Sequence, residues 1–408
     1  MPQLFGREAE IGELRAAYAA VTSTPASRII ILDGAPGSGK SALADRLEEL
    51  AAPSASILRA RAYPIDRFFP LAVAERLASD LREHLERTTR ERPAVVIVTD
   101  AQCADEESLE HLVALARELH ERPLLVVLAH AGDERAWTIA GDATIALREL
   151  DDAGARALAR AHYAGANGRV LDAIVANARG IPYEIVTIAG AAARRKAEEP
   201  DAVDLSSQAA IAKELAALAP AERTARQMAA LLSEPNDHAL TAGAILETIP
   251  MKIPLHRRIL AAMERRGVRT VRERFAFAQQ AIASADKALA QRALCDLAFA
   301  ANEQHCARAV IWASEHHLEL GEPPNERFVE FYSGFFNALV DTASYPRAES
   351  IAAHALSEAQ RRGLRGLGAL AAQLISAQES AGRPDAARSS RKRYAAWLAA
   401  DSSPLSAG

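Results

Sequence analysis

The stretch that most constrains this chain is GAPGSGKS, at residues 34–41. It follows an apolar, β-branched run, RIIILD, and opens an amphipathic stretch, KSALADRL, so a strand is expected to end where a helix begins. In that setting the glycines let successive backbone N–H groups face a polyphosphate, and the helix N-terminus adds its positive dipole end. Lys40 would reach the β- and γ-phosphates, and the Ser41 hydroxyl would hold Mg²⁺. The loop therefore predicts a nucleotide site with these contacts: Gly34, Ala35, Pro36, Gly37, Ser38, Gly39, Lys40 and Ser41.

The apolar pattern changes once along the chain. From residue 27 to about residue 132, the runs RIIILDG, ASILRARA, AVVIVTD and PLLVVLAH alternate with amphipathic stretches such as EESLEHLVALARELHE. This alternation predicts βαβ units, with a parallel sheet between helices on both faces. After about residue 147 strand-like runs nearly vanish, and segments such as GRVLDAIVANARG are apolar at helical spacing. The second half is therefore predicted to be all-α.

Charge and cysteine content narrow the class of protein. Lys and Arg number 48 against 53 Asp and Glu, a net charge of −5, so no global electrostatic footprint for nucleic acid is present. The three cysteines have no metal-type spacing, which favours a reducing cytoplasm; Cys295 and Cys306 are best interpreted as buried small hydrophobes. The N-terminus lacks a signal-peptide pattern, and no run is long and apolar enough to span a bilayer. A cytoplasmic protein with no membrane partner is expected.

The run AVVIVTD ends in a single carboxylate, Asp100, with Thr99 before it. In phosphate-loop proteins a second strand end brings an acid to the Mg²⁺ and often another acid to the attacking water. Asp100 can take either duty, so Asp100 and Lys40 are the predicted catalytic residues, and Ser41 and Asp100 the predicted Mg²⁺ ligands. Asp105, beyond the strand end, is expected to cap the next helix.

Five separated stretches resemble, in this order, one known family: LFGREAEIGELRAAYAA, GAPGSGKS, RARAYPIDRFFPLAVAERL, TDAQCADEESLEHLVALAREL and PLLVVLAHAGDE. Together they look like the ATPase module of large ATP-binding regulators of the LuxR type. That module belongs to the signal-transducing P-loop ATPases called STAND, close to the AAA+ class. The resemblance covers residue 4 to about residue 193 and continues more loosely into the helical half. It implies ATP or ADP with Mg²⁺ as the ligands.

The resemblance also implies nucleotide contacts outside the phosphate loop. Gly6, Arg7 and Glu8 match the family's Gly-Arg-Glu signature, which lies near the adenine. The stretch GIPYEI, at residues 180–185, matches a Gly-x-Pro element whose proline contacts the nucleotide and couples it to domain movement. That proline is Pro182 here. Without the family, the same three residues are also explained as a turn that ends a helix.

Two positions depart from the family pattern. Alignment on the Ala-Asp dipeptide that follows the strand puts Thr99 at the family's first acid and Asp100 at its second, so the usual Mg²⁺ acid would be missing. Ala131 stands where the family has an arginine that senses the γ-phosphate, and His130 beside it is best explained by a structural role. Both departures affect hydrolysis more than binding, because the phosphate loop supplies most ground-state contacts. Turnover is expected to be slow or absent.

The sequence predicts three domains. The phosphate-loop ATPase domain with a helical lid is expected over residues 1–195, followed by a linker near ARRKAEEPDAV. The family resemblance implies a winged-helix-like domain over 204–285, with RTVRERFAF as its wing. Residues 286–400 are expected to form tetratricopeptide-like helical hairpins, whose surfaces commonly bind a protein or peptide.

Clustered arginines near the predicted wing suggest contact with DNA: Arg265, Arg266, Arg269, Arg272 and Arg274. A solvated surface, partly paired with Glu264 and Glu273, is the preferred interpretation. Full-length regulators of the resembled family end in a DNA-binding helix-turn-helix, and none is recognisable in the sequence up to Gly408. DNA binding by this chain alone is therefore not expected, and the chain resembles the sensor part of such a regulator.

Three hypotheses of function follow. The favoured one is a nucleotide-switched signalling ATPase with weak hydrolysis, whose helical half binds a partner and which forms a nucleotide-dependent homo-oligomer. The second is a competent ATPase that remodels partners in the AAA+ manner. The third is a transcriptional regulator that contacts DNA through the arginine-rich wing.

Overall fold

The computed structural model describes residues 4–131, 139–203, 206–232, 239–249 and 251–401. The chain divides into two compact units, a first unit of residues 1–250 and a second unit of residues 251–408. Within the described ranges, no helix combines the length and the apolar content that a bilayer crossing requires.

The first unit is built on a parallel five-stranded sheet with the strand order β2-β3-β4-β1-β5. Its strands are β1 Ser27–Gly34, β2 Ser56–Arg61, β3 Ala94–Thr99, β4 Leu124–His130 and β5 Ala143–Leu147. The four predicted strands are confirmed. β3 and β4 are buried along their whole length, as expected for parallel strands covered on both faces.

The fifth strand, β5, was not predicted. It lies at the edge of the sheet beside β1, and only Ile145 and Leu147 in it are buried. Its short alternating pattern, ATIAL, lacks the continuous apolar run of the central strands, because an edge strand exposes more of its surface.

Helices cover both faces of the sheet, as predicted. They are α1 Glu8–Ser23, α2 Lys40–Ala51, α3 Ala72–Leu77, α4 Leu81–Glu91 and α5 Glu106–Glu118. Leu14 of α1 and Leu47 of α2 pack with the odd positions of β3, such as Ile97, to form one core layer. Leu85 of α4 packs with the even positions of β3 in the second layer. Successive strand side chains point to opposite faces, so both layers come from the same apolar runs.

The rest of the first unit is helical. It consists of α6 Asp152–His162, α7 Gly168–Ala178, α8 Pro182–Arg195, α9 Ser207–Ala217, α10 Pro220–Leu232 and α11 Ala239–Glu247. α6, α7 and α8 share one apolar cluster, which includes Leu158, Ile174 and Ile188. α9, α10 and α11 share a smaller one.

The second unit is made of helices, with one short 3-10 helix at Asn325–Arg327. The helices are α12 Ile253–Arg266, α13 Val271–Ala283, α14 Lys287–Glu303, α15 Ala307–Leu320, α16 Phe328–Asp341, α17 Tyr345–Arg362, α18 Leu367–Ser380, α19 Pro384–Arg393 and α20 Ala395–Asp401. Consecutive helices from α12 to α19 pack on one another. α16 carries five buried aromatic residues, and buried alanines such as Ala313 and Ala352 lie on the neighbouring helices. The predicted helical half is confirmed.

The predicted wing, RTVRERFAF, is wrong. Its residues from Val271 onward belong to α13. Thr270 accepts a hydrogen bond from the Glu273 backbone N–H, and the Glu273 carboxylate accepts one from the Thr270 N–H. This capping box, T-x-x-E before an apolar run, is a helix-start signal that outweighs the β propensity of Val271 and Phe275.

Candidate nucleotide-binding site

The phosphate loop, residues 34–41, joins the end of β1 to the start of α2. Gly37 and Gly39 have φ angles of 83° and 101°, which side chains strongly disfavour. A Cβ on Gly34 would lie 2.7 Å from the Leu147 carbonyl oxygen and 2.8 Å from Ser38 Oγ. The glycines therefore serve a left-handed turn and a close approach of β5, as a backbone cradle requires.

Lys40 lies inside this loop and is only 8% exposed. Its Nζ donates to the carbonyl oxygens of Gly34 at 2.6 Å and Ala35 at 2.9 Å. Burial lowers the pKa of Lys40, while the nearby charges of Asp100 and Asp33 act to raise it. Phosphate oxygens are stronger partners for an ammonium than these carbonyls. The lysine thus lies where a phosphate group would be bound.

Arg7 ties the segment before α1 to the loop. It is 5% exposed, and its Nη2 donates to the carbonyls of Ser38 at 3.0 Å and Arg148 at 2.5 Å. Its Nη1 forms an ion pair with Glu10 at 2.8 Å. Arg7 Nε and Ser38 Oγ are buried and have no hydrogen-bond partner among the described residues. Two buried polar groups at the loop fit a site that an oxygen-rich ligand completes.

The Gly-x-Pro element lies against the same loop. α8 begins at Pro182, the Tyr183 backbone N–H donates to the Gly37 carbonyl at 3.1 Å, and a Cβ on Gly39 would lie 4.0 Å from Pro182 Cγ. Gly180, with φ 75°, forms the turn between α7 and α8. The Gly-x-Pro element thus forms a turn between two helices and also lies close to the phosphate loop.

Gly6 and Glu8 flank Arg7 at the start of α1. Gly6 has φ 63°, and a Cβ on it would lie 3.3 Å from Gly154 Cα. Glu8 is the exposed first residue of α1. The Gly-Arg-Glu segment, the phosphate loop and Pro182 are therefore brought together, although they are far apart in sequence. Contact of these residues with a nucleotide stays a prediction.

Asp100 follows β3 with φ 54°, a left-handed conformation. Its Oδ2 accepts a hydrogen bond from Arg61 Nε at 2.8 Å, and both side chains are about one-third exposed. Thr99 is buried and pairs in register with Arg61 of β2. Because all the strands are parallel, Asp100 and the phosphate loop lie at the same end of the sheet, where the carboxyl ends of the strands meet. Sequence analysis missed Arg61, since nothing local marks it as the partner of Asp100.

A second acid at this end of the sheet, Asp33, was also missed. Asp33 precedes Gly34, pairs in register with His130 and approaches His130 Nδ1 to 3.5 Å. His130 is buried. The only local signal for Asp33 was its place just before the phosphate loop. Residues 132–134, at the turn where the family carries its sensor arginine, lie outside the described residues.

The turn after β3 is held in place by buried hydrogen bonds. Gln102 Oε1 accepts from the Ala131 backbone N–H at 3.1 Å, which joins this turn to the end of β4. Asp105 is fully buried and accepts from the backbone N–H groups of Ser108, Leu71 and Val73 and from Ser108 Oγ. The predicted helix cap at Asp105 is confirmed, and Asp105 also anchors the segment that leads into α3.

The side-chain oxygens at this end of the sheet fit a nucleotide with a bound Mg²⁺ ion. Across the part of the chain that the structure describes, no group of three or more His, Cys, Asp or Glu is arranged for a metal ion. Mg²⁺ commonly takes one or two protein ligands and completes its shell with water and phosphate oxygens. The exposed Ser41 hydroxyl and the Asp100 carboxylate would suffice for that mode.

Comparison with known proteins agrees with this geometry. Residues 3–74 match the family model described as an AAA ATPase domain. Among curated proteins, no match was found.

Solved structures also match this chain, among them the following three. One is a signal transduction ATPase with numerous domains (STAND) and a tetratricopeptide repeat sensor from Pyrococcus horikoshii, at 12% identity and a TM-score of 0.44, covering 93% of this chain and 69% of that one. Another is Cdc6p from Pyrobaculum aerophilum, at 15% identity and 0.42, covering 66% and 88%. The third is the RuvB Holliday junction branch migration motor from Thermotoga maritima, at 13% identity and 0.32, covering 68% and 82%.

The sheet order and the phosphate loop define the class of fold: the first unit is a P-loop α/β fold whose residues 3–74 match the AAA ATPase domain model, and a helical half follows it.

Proposed function

We propose that this protein is a nucleotide-dependent switch of the STAND type, which binds ATP or ADP with Mg²⁺ at the phosphate loop and hydrolyses ATP slowly. The observation that carries the proposal is the hydrogen bond from the Tyr183 N–H to the Gly37 carbonyl. It links the first turn of α8 directly to the loop, so a change in the bound phosphates acts on a helix.

That helix has further partners in the first unit. The Tyr183 hydroxyl lies 2.7 Å from Thr241 Oγ1 on α11. The Glu184 carboxylate accepts from the N–H and the hydroxyl of Ser207, at the start of α9, at 3.0 and 2.8 Å. Two adjacent residues after Pro182 thus connect the loop to α9 and α11. A movement of α8 would be transmitted to these helices.

Slow hydrolysis is supported by the residues at the carboxyl end of β3, Thr99 and Asp100. Thr99 can offer only a hydroxyl where the resembled family has a Mg²⁺ acid. Asp100 is ion-paired with Arg61 at 2.8 Å, so Arg61 occupies a carboxylate oxygen that would otherwise be available to orient the attacking water. Both features leave ground-state binding to the loop intact.

The binding test is a fluorescence titration of the full chain with labelled ATP and ADP, with and without Mg²⁺. We expect Lys40→Ala to weaken nucleotide binding by about tenfold or more, because charge-assisted bonds to phosphate are lost. Binding that is nearly indifferent to Mg²⁺ would support the loss of the metal acid at Thr99. Lys252→Ala, at an exposed lysine, is the matched control. Unchanged affinity in the Lys40 variant would refute the proposed site.

The turnover test uses Thr99→Asp, with Thr99→Asn as the uncharged control of similar size. If Thr99 occupies the position of the missing metal acid, Thr99→Asp raises ATP turnover and Thr99→Asn does not. If Asp100 is itself the metal ligand, neither variant changes the rate. Rapid turnover by the unmodified chain, abolished by Lys40→Ala, would favour the alternative of an active AAA+-like remodelling ATPase.

The finer assignments rest on the sequence resemblance. We propose a cytoplasmic regulator related to the LuxR-type ATPases, whose helical half binds a protein or peptide and whose oligomeric state follows the nucleotide. Light scattering of the full chain with ATP and with ADP tests the last point, since equal masses in both states would contradict it. DNA contact through a wing loses its basis, because α13 replaces the wing and Arg266 pairs with Glu273 at 3.5 Å.

A further inference from the structure

Residues 252–274, which form α12 and the start of α13, carry a strong local positive charge. They hold eight basic side chains and two acidic ones, a net charge of +6 in a chain whose net charge is −5. Seven of the eight basic residues are arginines. The stretch 296–349, by contrast, holds nine acidic and three basic side chains. The positive charge is therefore confined to one helical hairpin of the second unit.

α12 turns its arginines away from its packed face. Its buried side chains recur at helical spacing: His256, Ile259, Leu260 and Met263. This face packs on α13, where His256 Nδ1 lies 2.7 Å from Gln280 Oε1. Arg258 and Arg265 are exposed, and at 3.6 residues per turn they lie on the opposite side of the helix. Both guanidinium groups are thus presented to solvent.

Most of this charge has no partner within the protein. Arg257, Arg258, Arg265 and Arg269 are exposed, and their guanidinium groups have no hydrogen bond or ion pair among the described residues. These four arginines are called the basic face below. An unbalanced cluster of this kind attracts an anionic partner.

The nearby acid Glu273 does not neutralise the basic face. Its carboxylate accepts hydrogen bonds from the backbone N–H groups of Thr270 and Arg269, at 3.0 and 2.9 Å. These two bonds lower the pKa of Glu273. Only Arg266, outside the basic face, approaches it, at 3.5 Å. Glu273 therefore caps α13 and leaves the four arginines available to another molecule.

The spacing of two arginines suits carboxylates on a short segment of chain. Arg258 and Arg265 are seven residues apart along α12, or roughly 10 Å. Side chains three residues apart in an extended peptide span roughly the same distance. The planar guanidinium group can donate two parallel hydrogen bonds to one carboxylate. Two acids of one peptide could thus bind both arginines at once.

Duplex DNA fits this surface less well. A duplex carries its charge at every step of a long rod, so it would extend beyond a hairpin this short. The acid-rich stretch 296–349 lies in the helices that follow next in the stack. Glu264, exposed and adjacent to Arg265, adds a negative charge within α12 itself. A short acidic segment avoids most of this repulsion.

We propose that the basic face binds an acidic segment of a partner protein through its glutamate or aspartate carboxylates. This inference names the class of partner and rests on the proposal that the helical half binds a protein or peptide. It does not depend on the nucleotide site.

The test is fluorescence anisotropy of fluorescein-labelled decaglutamate titrated with the full chain. We expect binding that weakens about tenfold between about 50 and about 200 mM NaCl, because exposed charges are screened by salt. The double variant Arg258→Gln/Arg265→Gln should weaken binding about tenfold, roughly threefold for each exposed pair lost. Its matched control is Arg365→Gln/Lys392→Gln, which removes two exposed, unpartnered charges elsewhere in the described part of the second unit and should change little.

Three results would overturn the proposal. One is no binding of decaglutamate at about 200 μM chain in the lower salt. Another is binding that both double variants weaken equally, since net charge alone would then be responsible. The third is tighter binding of a labelled 12-base-pair duplex that Arg258→Gln/Arg265→Gln also abolishes, which would make the basic face a nucleic-acid site.

Failure here and failure of the proposed function are distinguishable. Decaglutamate binding that Arg258→Gln/Arg265→Gln leaves unchanged would refute the basic face, while peptide binding by the helical half would stand. The same variant should bind labelled ATP as the unmodified chain does, because the phosphate loop is unaltered. Circular dichroism melts check that each variant is folded.

Discussion

The phosphate loop of the first unit and a cavity in the second unit differ in the atoms that line them. In the first unit the phosphate loop is largely backbone, with glycines at φ angles of 83° and 101° and a lysine bonded to carbonyls. In the second unit a cavity of about 470 Å³ is lined by side chains of α14, of His317 in α15 and of residues 322–327. A structure formed by closely packed backbone should be disrupted when a side-chain atom is added. A structure held by side chains should be disrupted when a side-chain atom is removed.

The largest expected effect tests a place in the first unit where the backbone after β3 depends on one buried side chain, Asp105. Asp105→Ala removes the acceptor of three backbone N–H groups and one hydroxyl, and three of these four hydrogen bonds are buried. We expect the free energy of unfolding to fall by about 4 kcal/mol, because several donors lose their partners at once. Urea unfolding followed by circular dichroism measures it.

The matched control is Asp151→Ala. Asp151 is an exposed cap of α6 that accepts from the Gly154 N–H at 2.7 Å, and its loss should cost about 1 kcal/mol. Equal losses in the two variants would mean that Asp105 acts as a helix cap alone.

An intermediate effect is expected where one methyl group is added to the backbone site. Gly34→Ala puts a Cβ 2.7 Å from the Leu147 carbonyl oxygen, so the loop and β5 must separate. We expect a loss of about 2 kcal/mol in unfolding free energy, together with loss of measurable ATP binding in the same titration.

Gly12→Ala is its control, because no atom lies within 4 Å of a Cβ at this position in α1. Alanine in a helix interior should stabilise the fold by about 0.5–1 kcal/mol. Normal ATP binding by Gly34→Ala would show that the loop tolerates the methyl and that the comparison between the sites is wrong.

The smallest effect is expected where the hydroxyl of Tyr332, which contacts a residue of the cavity wall, is removed. Burial raises the pKa of Tyr332, and its hydroxyl donates to Glu322 in the cavity wall. Tyr332→Phe should cost about 1 kcal/mol at pH 7. The raised pKa means that the tyrosine's contribution is complete below pH ~10, the ordinary tyrosine pKa, and is lost as the pH rises through the folded value.

The unfolding free energy of the unmodified chain should therefore decline above pH ~10 by up to about 1.4 kcal/mol per pH unit more than that of Tyr332→Phe. Urea titrations at several alkaline pH values measure this difference. Tyr345→Phe, which removes a hydroxyl without a hydrogen bond among the described residues, should leave the slope unchanged. Parallel slopes for the chain and the Tyr332 variant would contradict the expectation.

Much of the fold was predictable because its signals are local. Four apolar runs bounded by turns became β1 to β4, and Asp105 capped α5 as expected. β5 escaped prediction because only its two inward positions are buried. The wing was wrong because it came from the family resemblance, whereas the capping box of Thr270 and Glu273 starts a helix at this point of the chain.

The sequence by itself determined the phosphate loop, since all its parts are contiguous and the left-handed turn at Gly37 and Gly39 is local. The reason for Gly34 is tertiary, because β5 approaches it. Only the tertiary structure decided that Arg61 pairs with Asp100, that Arg7 reaches Ser38, and that His317 lines the same cavity as residues of α14. Such pairs join residues roughly 20 to 40 positions apart along the chain. Their contact depends on strand order and helix packing, and those are set by burial of the whole core rather than by any local pattern.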